Sequence, residues 1–205
     1  LGGMAIITAL ILGLIFGSIA ALTRNKLPDR LIIFLSTLFT SLPSFVFASL
    51  LLLVFCVTLK WIPVWSPSNP NYLLPVIALS AYPMAYITRL TKTSMLDVMG
   101  QDYVRTARAK GVAKLKVIFK HTLRNALIPV VTYVGPMTAS ILTGSLVVEK
   151  IFTIGGLGAK FVEGITNRDY PMIMGTTIFL AVLMVTMNLI TDIVYKAIDP
   201  RIKLD

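Results

Sequence analysis

The chain has 205 residues, of which 56% are hydrophobic and 14% are charged. An ordinary soluble domain carries roughly 25% charged residues, so this composition excludes a typical water-soluble fold and favours a protein that lies in lipid. The formal net charge of +10 could indicate nucleic-acid binding, but the basic residues lie between apolar runs, where membrane topology explains them better.

Five apolar runs have the length and composition of membrane-spanning helices. Because a helix rises about 1.5 Å per residue, about 20 apolar residues cross a hydrocarbon core about 30 Å thick. The runs predict an all-α, polytopic membrane bundle that forms a single domain over residues 1–205. The predicted spans are about 1–22, 31–59, 72–90, 126–148 and 172–195.

The first and third runs need separate arguments. The first has no basic segment before it and no clear cleavage motif, and further spans follow, so it is interpreted as a span rather than a signal peptide. It opens inside the span at Leu1, which predicts that an N-terminal portion is missing. The third is short and carries Pro75 and Pro83, which membrane helices tolerate where neighbouring helices or water satisfy the freed backbone groups.

The distribution of Lys and Arg predicts the orientation, because cytoplasmic loops carry an excess of them. Fifteen lie in residues 23–30, 88–125 and the C-terminal tail, and four lie in residues 60–71 and 149–171. The first set of loops is therefore predicted to be cytoplasmic. With five spans, the C-terminus is then predicted to lie inside the cell.

The long cytoplasmic loop, residues 91–124, is too polar for lipid but strongly periodic. It predicts two short helices, the first beginning near Asp102 and the second following a break at Gly111. In the second helix four residues follow the spacing of one apolar face: Val112, Leu115, Phe119 and Leu123.

A basic amphipathic helix beside a membrane lies on anionic lipid or docks a partner protein. Spacing alone leaves both explanations open for this loop. The break at Gly111 and the acidic side chains of Asp97 and Asp102 favour a shaped surface for a partner.

The loop also carries a recognisable motif. Residues 102–111 (DYVRTARAKG) and 121–129 (HTLRNALIP) resemble the cytoplasmic coupling loop of binding-protein-dependent ABC importer permeases. The general pattern of that family is Glu-Ala-Ala, three residues, Gly, nine residues and Ile-x-Leu-Pro. Gly111 and Leu123 fit it, whereas residues 105–107 (RTA) replace Glu-Ala-Ala and Arg124 stands where the proline falls.

Those departures are typical of the oligopeptide and dipeptide branch of the family. Four further segments are similar to that branch: residues 147–152 (VVEKIF), 155–158 (GGLG), 167–171 (NRDYP) and 199–202 (DPRI). The resemblance is strong from about Tyr103 to the C-terminus and rests on layout alone before it. Permeases of this family usually have six spans, which implies that a first helix and an external segment are absent here.

The resemblance implies a function and a set of partners. The chain would form half of the pathway of a bacterial or archaeal inner-membrane peptide importer, pairing with a homologous but distinct second permease in a heterodimer. Two ATPase subunits would bind ATP and Mg, and this chain itself is expected to bind neither. An extracytoplasmic peptide-binding protein would dock near residues 60–71 and 149–171. Six residues are predicted to contact the ATPase: Tyr103, Arg105, Ala107, Arg108, Gly111 and Leu115.

The sequence shows neither an ionisable group at membrane depth nor a phosphate-binding loop that would let this chain drive transport by itself. No Lys, Arg, Glu or His lies in the middle of a span, and Asp192, near the cytoplasmic end of the fifth, can pair with Lys196 one turn later. Residues 155–158 lack the Lys of a phosphate-binding loop and are predicted to form a turn before a short external helix. The chain is therefore predicted to be a transport subunit and not an enzyme.

Polar residues of the last two spans are the predicted lining of the pathway: Thr132, Thr138, Ser140, Thr143, Thr176 and Asn188. Such hydroxyl groups can instead bond back to their own helix. The four-residue spacing of Gly135 with Ala139 and of Ser140 with Gly144 favours close helix packing in the fourth span.

Three other functions stay open from the sequence. A nickel or other small-solute importer of the same branch would share the loop, because substrate choice rests largely on the binding protein. An ion-coupled carrier or channel would need an ionisable group at membrane depth, and a membrane scaffold would transport nothing. Metal binding is not expected, because the methionines and the single His121 form no paired motif.

Overall fold

The structure is a computed structural model that describes residues 1–198, with side chains described outside residues 139–140, 142–145, 191–192, 194–195 and 197–198. Every regular element within these limits is helical, which confirms the predicted all-α membrane bundle. The helices are α1 (Gly2–Leu22), α2 (Leu27–Ser41), α3 (Ser44–Leu51), α4 (Leu73–Met99), α5 (Asp102–Ala109), α6 (Lys114–Lys116), α7 (Arg124–Ala126), α8 (Ile128–Ile151), α9 (Leu157–Asn167) and α10 (Tyr170–Ile198). Two π-helical segments, Leu52–Thr58 and Val117–Leu123, continue α3 and join α6 to α7.

Three stretches of the described chain are long and apolar enough to cross a membrane as single helices: α1, α4 and residues 170–190 of α10. A fourth candidate is bent by 105° between α2 and residues 44–58. The run predicted as one span over residues 31–59 is therefore broken at Leu42 and Pro43. The total of five spans stays a prediction.

Helix α4 is longer than the third predicted span. It continues past residue 90 to Met99, so the predicted loop over residues 91–124 begins with the last turns of α4. Pro83 lies inside this helix, where the neighbouring helices α1, α2, α3 and α8 surround it. The loop is therefore attached directly to the central helix of the bundle.

Helix α1 packs against α4 through a stripe of small residues. Ala5, Ala9, Gly13 and Gly17 recur every four residues and are buried. A Cβ atom added at Gly13 would lie 2.8 Å from Ile87 Cβ and 3.1 Å from the Met84 carbonyl oxygen. The two backbones therefore approach as closely as small residues allow, which is how helices associate in a bilayer.

An ion pair fastens the connection between α1 and α2 to α4. Lys92 Nζ lies 2.5 Å from Asp29 Oδ1, and the two side chains are 20% and 6% exposed. The backbone N–H of Asn25 donates to Asp29 Oδ2 at 2.9 Å. Because the carboxylate is buried, its charge depends on these partners rather than on water.

The close packing of α1 on α4 predicts that adding one methyl group lowers stability at Gly17 but not at Gly3. Gly17→Ala should destabilise the protein by about 1–3 kcal/mol, because its Cβ would lie 2.6 Å from both the Thr88 carbonyl oxygen and Thr91 Cβ. Gly3→Ala is the matched control, since nothing lies within 4 Å of its added Cβ and alanine favours a helix. The unfolding temperature of the purified transporter in detergent measures the difference, and equal values would contradict the close packing.

The ion pair predicts that exchanging the charges of Asp29 and Lys92 restores part of the stability that a single substitution removes. Asp29→Ala should lower the free energy of unfolding by about 3 kcal/mol, because it leaves the Lys92 ammonium group without its buried partner. The double variant Asp29→Lys with Lys92→Asp should recover part of that loss. Thermal unfolding of the single and double variants checks this, and a double variant no more stable than Asp29→Lys alone would show that the two charges do not interact.

Candidate functional site

The predicted coupling loop is an ordered unit with a small apolar core. Val104 and Ala107 of α5 are buried and pack on Val117, with Val98 and Val112 at the edge of the cluster. Val98 belongs to α4, and Val117 begins the π-helical segment that leads towards α8. This loop unit, formed by α5, Val117 and the residues that pack on them, therefore joins the end of α4 to the start of α8.

Two backbone and side-chain features hold α5 in place. Gly111 has φ of +74°, a conformation that glycine adopts without steric cost, and it reverses the chain between α5 and α6. Tyr103 Oη accepts a hydrogen bond from Asn125 Nδ2 at 2.8 Å. Because Asn125 lies in α7, this bond ties α5 to the helical segment before α8.

Five of the six residues predicted to contact an ATPase are exposed. Tyr103 is 45% and Leu115 is 68% exposed, and Arg105, Arg108 and Gly111 are exposed as well. Ala107 differs, because only 8% of it is accessible. Its place in the cluster with Val104 and Val117 shapes the loop from within, and a direct contact by Ala107 is not supported.

Two of the four residues on the predicted apolar face of the second helix lie at the surface of this chain. Leu115 and Phe119 are 68% and 64% exposed, whereas Val117 and Thr122 are buried. The π-helical segment Val117–Leu123 lies within this stretch, and its backbone hydrogen bonds run to the fifth residue rather than the fourth, so the regular α-helical spacing behind the prediction does not hold through it. Leu115 and Phe119 therefore form an apolar strip outside the packed face, beside Lys116 and Lys120.

At the opposite end of α8, a buried carboxylate organises the glycine-rich segment. Glu149 is 9% exposed, and its Oε2 accepts a hydrogen bond from the Gly158 backbone N–H at 3.0 Å. A Cβ added at Gly158 would lie 2.5 Å from the backbone Cα of Leu146, so glycine is needed for this approach. Helix α9 begins at Leu157, as predicted from residues 155–158.

Four of the residues predicted to line the pathway have described side chains, and these differ in exposure. Thr132 and Asn188 are exposed, and Thr138 and Thr176 are buried. The hydroxyl groups of Thr132, Thr138 and Thr176 donate to the carbonyl oxygens of Ile128, Val134 and Met172 at 3.0, 2.7 and 2.7 Å. The side chains of Ser140, Thr143 and Asp192, and residues 199–202, lie outside the part of the chain that the structure describes.

A cavity of about 360 Å³ lies at the break between α2 and α3. Residues 40–44 form one wall, Leu79, Tyr82 and Pro83 of α4 form the second, and Tyr133, Met137 and Ile141 of α8 form the third. Tyr82 is 46% exposed, so the cavity opens at the surface of this chain. Tyr133 stacks on Tyr86 with ring centroids 4.3 Å apart.

The sequence contains a polar segment that indicates this break, although the high hydropathy of the surrounding run predicts one continuous helix. The segment Thr40-Ser41-Leu42-Pro43-Ser44 interrupts an otherwise apolar run with hydroxyl groups and a proline. Interrupted membrane helices are typical of transport sites, because irregular backbone at membrane depth is tolerated where it is buried in protein or lines a wet cavity. The contribution of Tyr82 and Tyr133 depends on the packing of three helices and could not be found in the same way.

The chain is similar along its whole length to permease subunits of peptide transporters. It is 51% identical over 205 residues to the dipeptide transport system permease protein DppB of Bacillus subtilis, covering 100% of this chain and 67% of that protein. It is 41% identical over 206 residues to the oligopeptide transport system permease protein OppB of Haemophilus influenzae, covering 99% and 67%. The glutathione transport system permease protein GsiC of Escherichia coli is 42% identical over 200 residues, covering 97% and 65%.

A solved structure shares the fold. A chain of the MetNI methionine ABC transporter in an inward-facing conformation matches with a TM-score of 0.73, covering 96% of this chain and 92% of that chain. At 16% sequence identity this match supports the architecture alone. It agrees with the helical bundle described above.

The family model for binding-protein-dependent transport system inner membrane components matches residues 13–204. That range includes the loop unit, the broken helix and the segment held by Glu149. The chain therefore belongs to this family of inner-membrane permease subunits of ABC transporters.

Proposed function

We propose that this chain is a permease subunit of an ATP-driven importer of dipeptides or oligopeptides, and that it forms half of the translocation pathway. The identities of 51%, 44% and 41% to dipeptide and oligopeptide permeases support the substrate class. The observation that carries the mechanism is the loop unit, in which exposed basic and apolar side chains cover a buried cluster on α5 and Val117.

The geometry of the loop unit is suited to transmit force. A partner that binds the outer surface of α5 would move Val104 and Ala107, and these pack directly on Val117. The hydrogen bond between Tyr103 and Asn125 adds a second connection to the segment before α8. Because a packed interior has low compressibility, a displacement of α5 would reach α4 and α8 rather than be absorbed within the loop.

The partners follow from this arrangement. Two ATPase subunits would bind ATP and Mg and would contact the surface formed by Tyr103, Arg105, Arg108, Gly111 and Leu115. A homologous second permease would complete the pathway as a heterodimer. This chain would contribute no nucleotide-binding group, since the proposed engagement of the ATPase is mechanical.

The two ends of the bundle would have different partners. The excess of basic residues in 23–30, 88–125 and the tail supports a cytoplasmic loop unit and a cytoplasmic C-terminus. A peptide-binding protein would then dock at the opposite end, near residues 60–71 and 149–171. There the Glu149 carboxylate fixes the start of α9 through the Gly158 N–H group, which would present a defined surface.

The proposed ATPase contact predicts that the complex fails to assemble when negative charges are placed on the exposed surface of the loop unit. The variant Arg105→Glu with Leu115→Asp should abolish copurification with the ATPase subunits, because it removes a cationic and an apolar contact at once. Lys60→Glu is the matched control, since Lys60 is exposed at the opposite end. Copurification of the tagged complex from membranes measures the result, and full recovery of the ATPases with the loop variant would contradict the contact.

The substrate is tested separately with the complete transporter in proteoliposomes. Uptake of a labelled dipeptide should require ATP inside the vesicles and the loaded binding protein outside. An excess of unlabelled short peptides should compete, whereas nickel ions should not. Uptake that persists without ATP, or competition by nickel alone, would count against a peptide importer.

A further inference from the structure

The cavity at the break between α2 and α3 lies near mid-length of α4 and α8, the helices that form its other walls. Thr40 follows Leu27, the first residue of α2, by thirteen positions, or about 20 Å of helix. Tyr82 follows Leu73, the first residue of α4, by nine positions, or about 14 Å. Since the two helices enter from opposite ends, both distances place the cavity well inside a hydrocarbon core about 30 Å thick.

The break leaves backbone oxygen atoms available at this depth. Pro43 has no N–H group, so the Phe39 carbonyl cannot receive the usual hydrogen bond from four residues ahead. Helix α2 ends at Ser41, and its last amide contact runs from the Leu42 N–H to the Leu38 carbonyl oxygen. The last carbonyl groups of a helix carry its partial negative charge, so this wall of the cavity attracts a positive group.

Two side chains of the same wall use their hydroxyl protons within α2. The Thr40 hydroxyl donates to the Ser36 and Thr37 carbonyl oxygens, both at 3.0 Å, and the Ser41 hydroxyl donates to the Thr37 carbonyl oxygen at 2.9 Å. With their protons engaged inside α2, these hydroxyl groups offer only lone pairs to a ligand. The Thr40 and Ser41 oxygens therefore favour a hydrogen-bond donor as their ligand.

The opposite walls add aromatic rings. Tyr82 and Tyr133 line the cavity, and Tyr133 is held by its stacking on Tyr86. An ammonium group is attracted to the face of such rings. No Asp, Glu, Lys or Arg lines the cavity among the described residues, so the attraction rests on dipoles and rings, which suits a site that a solute must also leave.

We propose that this cavity is a subsite that receives the N-terminal ammonium group of a peptide during passage. The inference rests on the proposed peptide substrate and adds the place and the polarity of its contact. The cavity volume of about 360 Å³ falls in the range of small-ligand pockets, about 300–1,000 Å³. Three groups define the subsite: the carbonyl end of α2, the hydroxyl oxygens of Thr40 and Ser41, and the rings of Tyr82 and Tyr133.

Photochemical capture in the complete reconstituted transporter tests occupancy. A benzophenone amino acid replaces Tyr82, and a matched control replaces Phe179, which is 49% exposed on α10 and lies outside the cavity lining. During ATP-driven uptake of a radiolabelled dipeptide, position 82 should capture the peptide and position 179 should not. Capture of only lipid or only the second permease subunit at position 82 would overturn the proposal.

Charge variants of α2 test the polarity of the subsite. Thr40→Lys places a fixed ammonium group at the wall and should lower peptide uptake about tenfold through repulsion of the peptide terminus, whereas the neutral Thr40→Gln should lower it much less. Thr37→Lys is the matched control, because Thr37 is exposed on the same helix and does not line the cavity. The ATPase subunits should copurify with all three variants as they do with the unmodified permease, which shows that the complex is assembled.

The outcomes separate the two proposals. If the unmodified transporter takes up no peptide, the proposed function fails. If it takes up peptide but Thr40→Lys and Thr40→Gln have equal effects, the subsite does not recognise a positive group and this inference alone is overturned. Normal uptake by Thr40→Lys would overturn it as well.

Discussion

Helix α4 is the element on which the rest of the structure depends. It lies against α1, α2, α3 and α8, and its end contributes Val98 to the cluster beneath α5. A bilayer provides little hydrophobic attraction between helices, so contacts of this kind depend on close packing and on polar groups. Here the packing comes from the glycine stripe of α1, and the polar contact comes from Lys92 of α4 and Asp29. Any movement of α4 would therefore involve α1 and α2 together.

Two different local devices place the functional regions around this helix. A proline without an N–H group ends α2 at membrane depth and turns residues 40–44 towards α4 and α8. A glycine with positive φ follows α5 and turns the chain back towards the bundle. The first device exposes backbone oxygen atoms, whereas the second hides apolar side chains. Under the proposed function, the same chain would therefore present polar groups to a solute and a firm surface to a protein partner.

Much of this organisation could be predicted from the sequence. Apolar runs located α1, α4 and α10, the periodicity of the polar loop located α5 and the turn at Gly111, and residues 155–158 marked the start of α9. The missed features depend on contacts between distant residues. Gly13 and Gly17 show their role only where Ile87 and Thr88 lie opposite them, and the bend at Pro43 stood inside a run that hydropathy treats as continuous. Hydroxyl groups on α8 and α10 could not be assigned, because helix rotation decides whether they face a cavity or a neighbour.

The π-helical segment Val117–Leu123 has a consequence for how this permease can vary. In an α-helix each residue turns the chain by about 100°, so removal of one residue that restored regular winding would rotate everything before it relative to α8. Tyr103 would then turn away from Asn125, and Leu115 would face a different direction. The length of the segment between Gly111 and Pro129 is thus a stricter requirement than the identity of its exposed side chains. Substitution can adjust the surface offered to an ATPase, whereas insertion or deletion would misdirect it.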